Sequence, residues 1–291
     1  MATIRPVHPS AGGPAGHGRV VLLVVAHADD VALFLGGTVA AWADAGWRVV
    51  VVRVTDDRWD SLGLSEVETI EANAAEFRRA CDVLGVAEIV EFGYRTDVLA
   101  DASEVTLREQ IIRQVRTHRP YALVTFDPFS MFGEDNQDHV QVARATDEAF
   151  WTSQFHLHHP EHLADGLAPH GVFERWYFGR RVVDVTHVVD ISATLDRKID
   201  AACEHRTMLR NYANQLRLQA ATGGWELEIA EAVVASGDPR PLIEPLLRAG
   251  AARTGADHGA PAAEEFRVVT FGGLEPMLER WGRRIERGEV S

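Results

Sequence analysis

Cysteine, positive charge and long apolar runs are what this sequence has little of. Only two cysteines occur in 291 residues, Cys81 and Cys203, both in helix-like apolar surroundings and without CxxC spacing. That excludes a disulfide scaffold and a thiolate zinc site, and predicts free buried thiols in a reducing compartment. Lys and Arg number 29 against 43 Asp and Glu, a formal net charge of −14, and no basic run interrupts the acidity. Sequence-independent binding to nucleic acid or to an anionic membrane needs phosphate-neutralising cations, so neither partner is expected. No apolar stretch has the length a bilayer requires: the run after Arg19 is broken by His27-Ala28-Asp29-Asp30, and the first 19 residues lack the apolar core of a signal peptide. A cytoplasmic location is the expectation. GxGxxG and GxSxG are both absent and neither cysteine ends a strand-like run, which argues against a nicotinamide enzyme and against an acyl-enzyme nucleophile.

What is present is a core. Hydrophobic residues make up 46% of the chain, enough for a large α/β domain. Residues 1–18, rich in Gly, Pro and Ala, are expected to be a flexible tail, and 19–291 a single domain. Val20 to Ala26 is a continuous apolar run, then come a helix-like segment from Gly36 to Gly46 and a second such run from Trp47 to Val54. Strands apolar on both faces and joined by helices form a parallel sheet covered on both sides. The pattern recurs as helix 65–84, strand 88–92, helix 104–118, strand 121–126 and helix 138–151. A β-branched run at 182–191 and a long helix over 194–218 follow. Beyond 220 the periodicity weakens to short helical pieces at 226–234 and 242–248, a mobile loop over 250–263 and a strand at 266–270. The fold class expected is α/β: Rossmann-like, doubly wound, mostly parallel, with helices on both faces and a C-terminal helical elaboration.

In such sheets ligands bind outside the carboxyl ends of the strands. The segments there are acidic and histidine-bearing: His27, Asp29 and Asp30; Thr55, Asp56 and Asp57; Tyr94, Arg95 and Asp97; Asp127, Glu134, Asp135, Asn136, Asp138 and His139. Carboxylates crowded into one cleft repel one another unless a cation compensates them, so a divalent metal is implied. His27 and Asp30, three apart on a tight turn, reach one ion, and His139, near a helix N-terminus expected to keep its ring neutral, is the natural third ligand. Two His and a carboxylate with an open position describe a catalytic zinc site. Asp29 is then free to act as general base. The competing reading makes both motifs ordinary turn and helix-cap chemistry.

Ala26-His27-Ala28-Asp29-Asp30 followed by Gly36-Gly37-Thr38 resembles the AHPDD…GGT signature of the PIG-L/LmbE-like zinc deacetylases. Glu76 with Leu84-Gly85, Asp97, Asp138-His139, Lys198 with His205, and Glu265-Phe266 extend the resemblance over roughly residues 20 to 270. It implies one Zn2+ per chain, with Fe2+ as the alternative, held by His27, Asp30 and His139, and hydrolysis of an N-acetyl group on an amino sugar or glycosylated small molecule, with Asp29 as general base. It also implies a substrate wall drawn from Asp97, Arg95, Asn73 and His170. Three departures stand out: Ala28 replaces the usual Pro, Asn136 replaces the first His of an HPDH motif, and Asn73 replaces an Arg seen in some members. An amide donates a hydrogen bond but supplies no proton near neutral pH, so with Asn136 at a catalytic position the acid role falls to Asp29 alone or to another residue that substitutes. The alternatives are a catalytically silent metal- or carbohydrate-binding homologue and an amidase on a larger amide. Five histidines between 156 and 170 read as an exposed loop or lid, with His170 the one to approach substrate. Trp59, Phe129, Met131 and Phe132 follow strands, at least half of them expected in the core. A homo-oligomer through the C-terminal helices is left open.

Overall fold

The two Val-rich runs become adjacent parallel strands, β2 (Val20–Val25) and β3 (Arg48–Thr55), buried over nearly their whole length, in register from Val20 opposite Arg48. They are part of a computed structural model that describes residues 5–6, 18–130 and 132–283. Around them lie β1 (Arg5–Pro6), α1 (Asp30–Asp44), α2 (Glu66–Leu84), β4 (Glu88–Tyr94), α3 (Glu104–His118), β5 (Ala122–Phe126) and α4 (Gln137–Thr152). The C-terminal half adds α5 (Pro160–Ala164), β6 (Glu174–Phe178), β7 (His187–Asp190), α6 (Leu195–Glu204), α7 (Arg206–Thr222), α8 (Glu228–Ser236), α9 (Arg240–His258), β8 (Ala263–Thr270) and α10 (Glu275–Trp281). Strand order is β1-β7-β8-β6-β5-β2-β3-β4. Every pairing is parallel except those of β8, which runs antiparallel between β6 and β7. The expected α/β class therefore holds.

From β2 the chain winds outward through β3 and β4, then returns to lay β5 on the other side of β2. The strand order reverses between β2 and β5, which opens a crevice at their carboxyl ends. Two loops enter it: residues 26–29, which lead into α1, and residues 127–136, which lead into α4.

α1 starts at Asp30, six residues before the expected Gly36, and it is broken inside. Leu35 leaves helical geometry (φ −136°, ψ 20°), so the second half begins afresh with its own exposed amides. Those of Gly37 and Thr38 donate to the buried carboxylate of Glu264 in β8, at 3.1 and 2.8 Å, and Lys198 Nζ closes the cluster 2.6 Å from Glu264 and 3.2 Å from the Phe34 carbonyl. A carboxylate at a helix N-terminus satisfies orphan donors and the helix dipole together. Gly37 is needed for approach: a Cβ there would come 2.7 Å from Ile191. Glu264 thus serves where the sequence had pointed to its neighbour Glu265.

Three more expectations are corrected, and a fourth falls outside the described residues. The long helix over 194–218 is two helices, α6 and α7, separated at His205 (ψ 56°). The mobile loop expected over 250–263 is mostly helix, since α9 runs to His258. The β-branched run at 182–191 pairs only over its last residues, as β7, and β6 was not anticipated. The expected tail lies outside the described residues except for Arg5–Pro6, which pairs with β7, and Gly18. Cys81 and Cys203 are free and buried, and no helix among the described residues is long and apolar enough to cross a membrane.

Candidate metal centre

The turn after β2 brings its two carboxylates to different fates. Asp30 folds back over its own turn, where Oδ2 accepts from the backbone amides of Ala26 (3.0 Å) and His27 (2.7 Å). Its other oxygen faces His139 Nε2 at 3.3 Å. Asp29 occupies the N-cap position of α1 but caps nothing, and its side chain makes no hydrogen bond among the described residues. The cap reading of the HADD turn therefore fails. Asp29 is 3% exposed, and burial, with Asp30 beside it, pushes its carboxyl up to about 7.

His139 enters from the first turn of α4, and its Nε2 lies 3.1 Å from His27 Nδ1. His27, Asp30 and His139 each offer one ligand atom, all within 4.8 Å of one another and all buried. The outward ring nitrogens meet carboxylates: His27 Nε2 lies 3.4 Å from Asp138, and His139 Nδ1 lies 3.1 Å from Glu134, though without hydrogen-bond alignment. Phe126 stacks on His139 at 4.0 Å between centroids and 16° between planes, fixing the ring. Two inward nitrogens, one carboxylate oxygen and a carboxylate behind each imidazole are the donor set and second shell of a divalent metal site.

The electrostatics carry that requirement. Burial pulls both imidazoles down, yet the surrounding carboxylates outweigh it. Asp138, Asp30 and Asp57 push His27 up to about 10, and Asp30 and Glu134 hold His139 above its ordinary value. Two close carboxylates thus outweigh the helix dipole at His139, a shift in the opposite direction from the one expected of the α4 N-terminus. Glu134, though partly desolvated, is held down at about 2 by His139, the Asn136 amide and Arg180.

The other singled-out residues divide. Asn136 caps α4, its Oδ1 accepting from the amides of Asp138 (2.9 Å) and His139 (3.4 Å), while its Nδ2 makes no hydrogen bond among the described residues. Asp97 is exposed in a left-handed backbone (φ 61°), and its amide donates to Asp138 at 2.7 Å, tying the β4 loop to the centre. Arg95 lies over the Trp59 ring at 5.2 Å. Asn73 does not open to the crevice. It is fully buried, and its Nδ2 donates to the carbonyls of Asp57 and Asp60, holding that loop from below.

His170 is not at the centre either. Its Nε2 donates to the carbonyl of Pro120, before β5 and so at the opposite edge of the sheet. Nor is His162 an exposed loop residue: it is fully buried, between Arg116 and Glu109. The aromatic residues expected in the core are instead open, with Phe129 70% and Phe132 89% exposed, whereas Met131 lies outside the described residues. Phe132, Glu134, Arg180 and Arg181 line a cavity of about 200 Å³, and Glu134 also faces His139. Two residues escaped the sequence reading. Asp60 is pushed up to about 7 by burial and by Asp57, and Tyr212 of α7 is raised by burial and by the carboxylates of Asp29 and Asp60. Only their loops' convergence reveals them.

Residues 22–150 match the family model described as PIG-L: GlcNAc-PI de-N-acetylase. Diacetylchitobiose deacetylase of Thermococcus kodakarensis is 27% identical over 194 residues, 65% of this chain and 70% of that protein. 1D-myo-inositol 2-acetamido-2-deoxy-alpha-D-glucopyranoside deacetylase of Mycobacteroides abscessus is 28% identical over 159 residues, 46% of this chain and 57% of that protein. Among solved structures, N,N'-diacetylchitobiose deacetylase from Pyrococcus horikoshii matches with a TM-score of 0.71 at 22% identity, covering 88% of this chain and 86% of that one. The 4-carboxy-2-hydroxymuconate hydratase GalB from Pseudomonas putida matches at 0.61 and 18%, covering 86% and 96%. A hydratase and a deacetylase on one fold mean that the fold alone does not choose the reaction. The matched segment, residues 22–150, carries the HADD turn, the Gly36-Gly37-Thr38 step and the Asp138-His139 pair.

Proposed function

We propose that this chain is a metal-dependent hydrolase that removes an N-acetyl group from an amino sugar or a glycosylated small molecule. The observation that carries the reading is the division of labour between adjacent carboxylates. Asp30 is immobilised by two amides and turned to the imidazoles, whereas Asp29 is uncommitted and poised near neutrality. A site that only bound metal has no use for the second.

His27, Asp30 and His139 would hold the ion, and the mixed nitrogen and oxygen donor set suits Zn2+, with Fe2+ the alternative. Such an ion supplies Lewis acidity to a carbonyl oxygen and lowers the pKa of water towards ~7. Asp29 takes the proton from the attacking water and delivers it to the leaving amine. Asn136, with Oδ1 fixed over the α4 N-terminus, keeps Nδ2 as a donor for the developing oxyanion but has no proton to release, so both transfers fall to Asp29. Asp97 and Arg95 form the substrate-facing rim on the β4 side, and the cavity beside Glu134 takes the sugar or its aglycone.

Metal analysis of the purified protein, together with amine release from N-acetylated sugars and glycosides, tests this. About one zinc or iron per chain, with amine release lost in Asp29→Ala while the metal stays, is the expected result. A protein that takes up no metal on reconstitution, or an Asp29→Ala variant as active as the parent, overturns it. Metal uptake without turnover of any substrate would leave the silent homologue standing.

A further inference from the structure

The metal turn carries an alanine where the signature it resembles has proline, and the structure contains the counterpart of that change. Ala28 has a backbone N–H that a proline would lack, and it donates to Asp57 Oδ2 at 3.1 Å. Asp57 is fully buried at the carboxyl end of β3 in a left-handed backbone (φ 53°) that Asp and Asn tolerate better than most side chains. Its carboxylate is held in turn by Arg53 Nη1 (3.0 Å) and Thr55 Oγ1 (3.0 Å), and Thr55 Oγ1 also lies 2.7 Å from the carbonyl of Ala26. Arg53 continues to Glu91 on β4. The turn bearing His27, Asp29 and Asp30 is therefore fastened to two neighbouring strands through one carboxylate.

We infer that Asp57 is a positioning residue: through the Ala28 amide it fixes the His27–Asp30 turn in the geometry that binds metal, replacing by a hydrogen bond the rigidity a proline ring would give. The inference rests on the proposed metal site but not on which substrate the enzyme cleaves. A converse follows from the same geometry. A proline Cδ lies about 1.5 Å from the ring nitrogen, towards where the N–H pointed, so a proline at 28 collides with Asp57 and is accommodated only once that side chain is gone.

The test is a Co2+ titration of metal-free parent, Asp57→Gly, Ala28→Pro and the double variant, followed by visible absorbance, with amine release measured alongside. Glycine suits the left-handed backbone at 57, so Asp57→Gly removes the carboxylate without straining the chain. Asp57→Gly and Ala28→Pro are each expected to weaken Co2+ binding by about 10- to 100-fold, the range for second-shell partners. The double variant should recover at least about tenfold over Asp57→Gly, although both leave Arg53 with Glu91 as its one carboxylate partner. Asp57→Asn, which keeps an acceptor, should bind nearly as the parent does, and it serves as the comparison if the glycine variant does not fold. Parent-like affinity in Asp57→Gly, or a double variant no tighter than Asp57→Gly, overturns the inference. A parent that binds Co2+ yet releases no amine sinks the proposed reaction and leaves this result readable.

Discussion

Two clusters in this chain satisfy one geometric condition and differ in everything that follows from it. His27, Asp30 and His139, and equally His159, Glu161 and His162, each place three ligand atoms within 4.8 Å of one another. In the second cluster the valences are spent. His162 Nδ1 lies 3.2 Å from Arg116 Nη1 and Nε2 lies 2.5 Å from Glu109, while the same guanidinium holds the carbonyls of Ser153, Phe155, His158 and His159. A fixed cation already sits where a metal would have to come, and His162 ties down a loop. In the first cluster the inward nitrogens face only each other and a carboxylate, and the outward ones meet Asp138 and Glu134. Closeness of donors does not make a site; unspent lone pairs backed by negative charge do.

The sharpest way to break that contrast is to remove one histidine from each cluster. His139→Ala should abolish metal retention and with it measurable amine release, whereas His159→Asn should leave metal content per chain unchanged by elemental analysis. Metal lost from both would erase the distinction. Next in size, Asp29→Asn should lower kcat by about 10²- to 10⁴-fold, the range for a lost general base, with metal content and KM near those of the parent.

A smaller effect sharpens the structural side. His162→Ala leaves buried N–H and carboxylate groups short of a partner and should cost about 1–3 kcal/mol in chemical denaturation, with metal content intact. A pH effect is confined to the first cluster. Because His27 is raised from 6.5 to about 10 in the metal-free fold, its stabilisation is fully present below pH 6.5 and fades as pH rises through 10. The metal-free protein should melt progressively lower over that interval, and metal uptake at neutral pH should release protons. Calorimetry in two buffers of different ionisation enthalpy checks this, and uptake without proton release would contradict the charge balance of the site.

Much of this was legible beforehand because it is local. Valine runs apolar on both faces and helices ended by Gly85 or Pro120 report their own geometry, so β2 to β5 and α2 to α4 follow from the sequence. His27, Asp30 and His139 could be assembled because open sheets collect strand ends at one edge. What escaped depends on distant partners. Gly250 and Gly255 read as loop, yet α9 continues through them. Gly255 is there for close approach: a Cβ would come 2.4 Å from the Ala260 carbonyl. β6 (Glu174–Phe178) opens on two charged residues and has no β-branched one, so its local strand signal is confined to the Trp176-Tyr177-Phe178 run. The supports at Asp57, Asp138 and Glu134 stood in the acidic list, but their tasks appear only when three loops meet.

Glu264, which starts the second half of α1, gives the chain a timetable. All three candidate donors are synthesised by residue 139, but the carboxylate that braces α1, the helix of Asp30, comes more than a hundred residues later, on the strand that also joins β7 to the sheet. During N-to-C synthesis the nascent chain carries all three residues long before it has the brace that sets the second half of α1. Until β8 is made, the first amides of the second half of α1 have no carboxylate to meet.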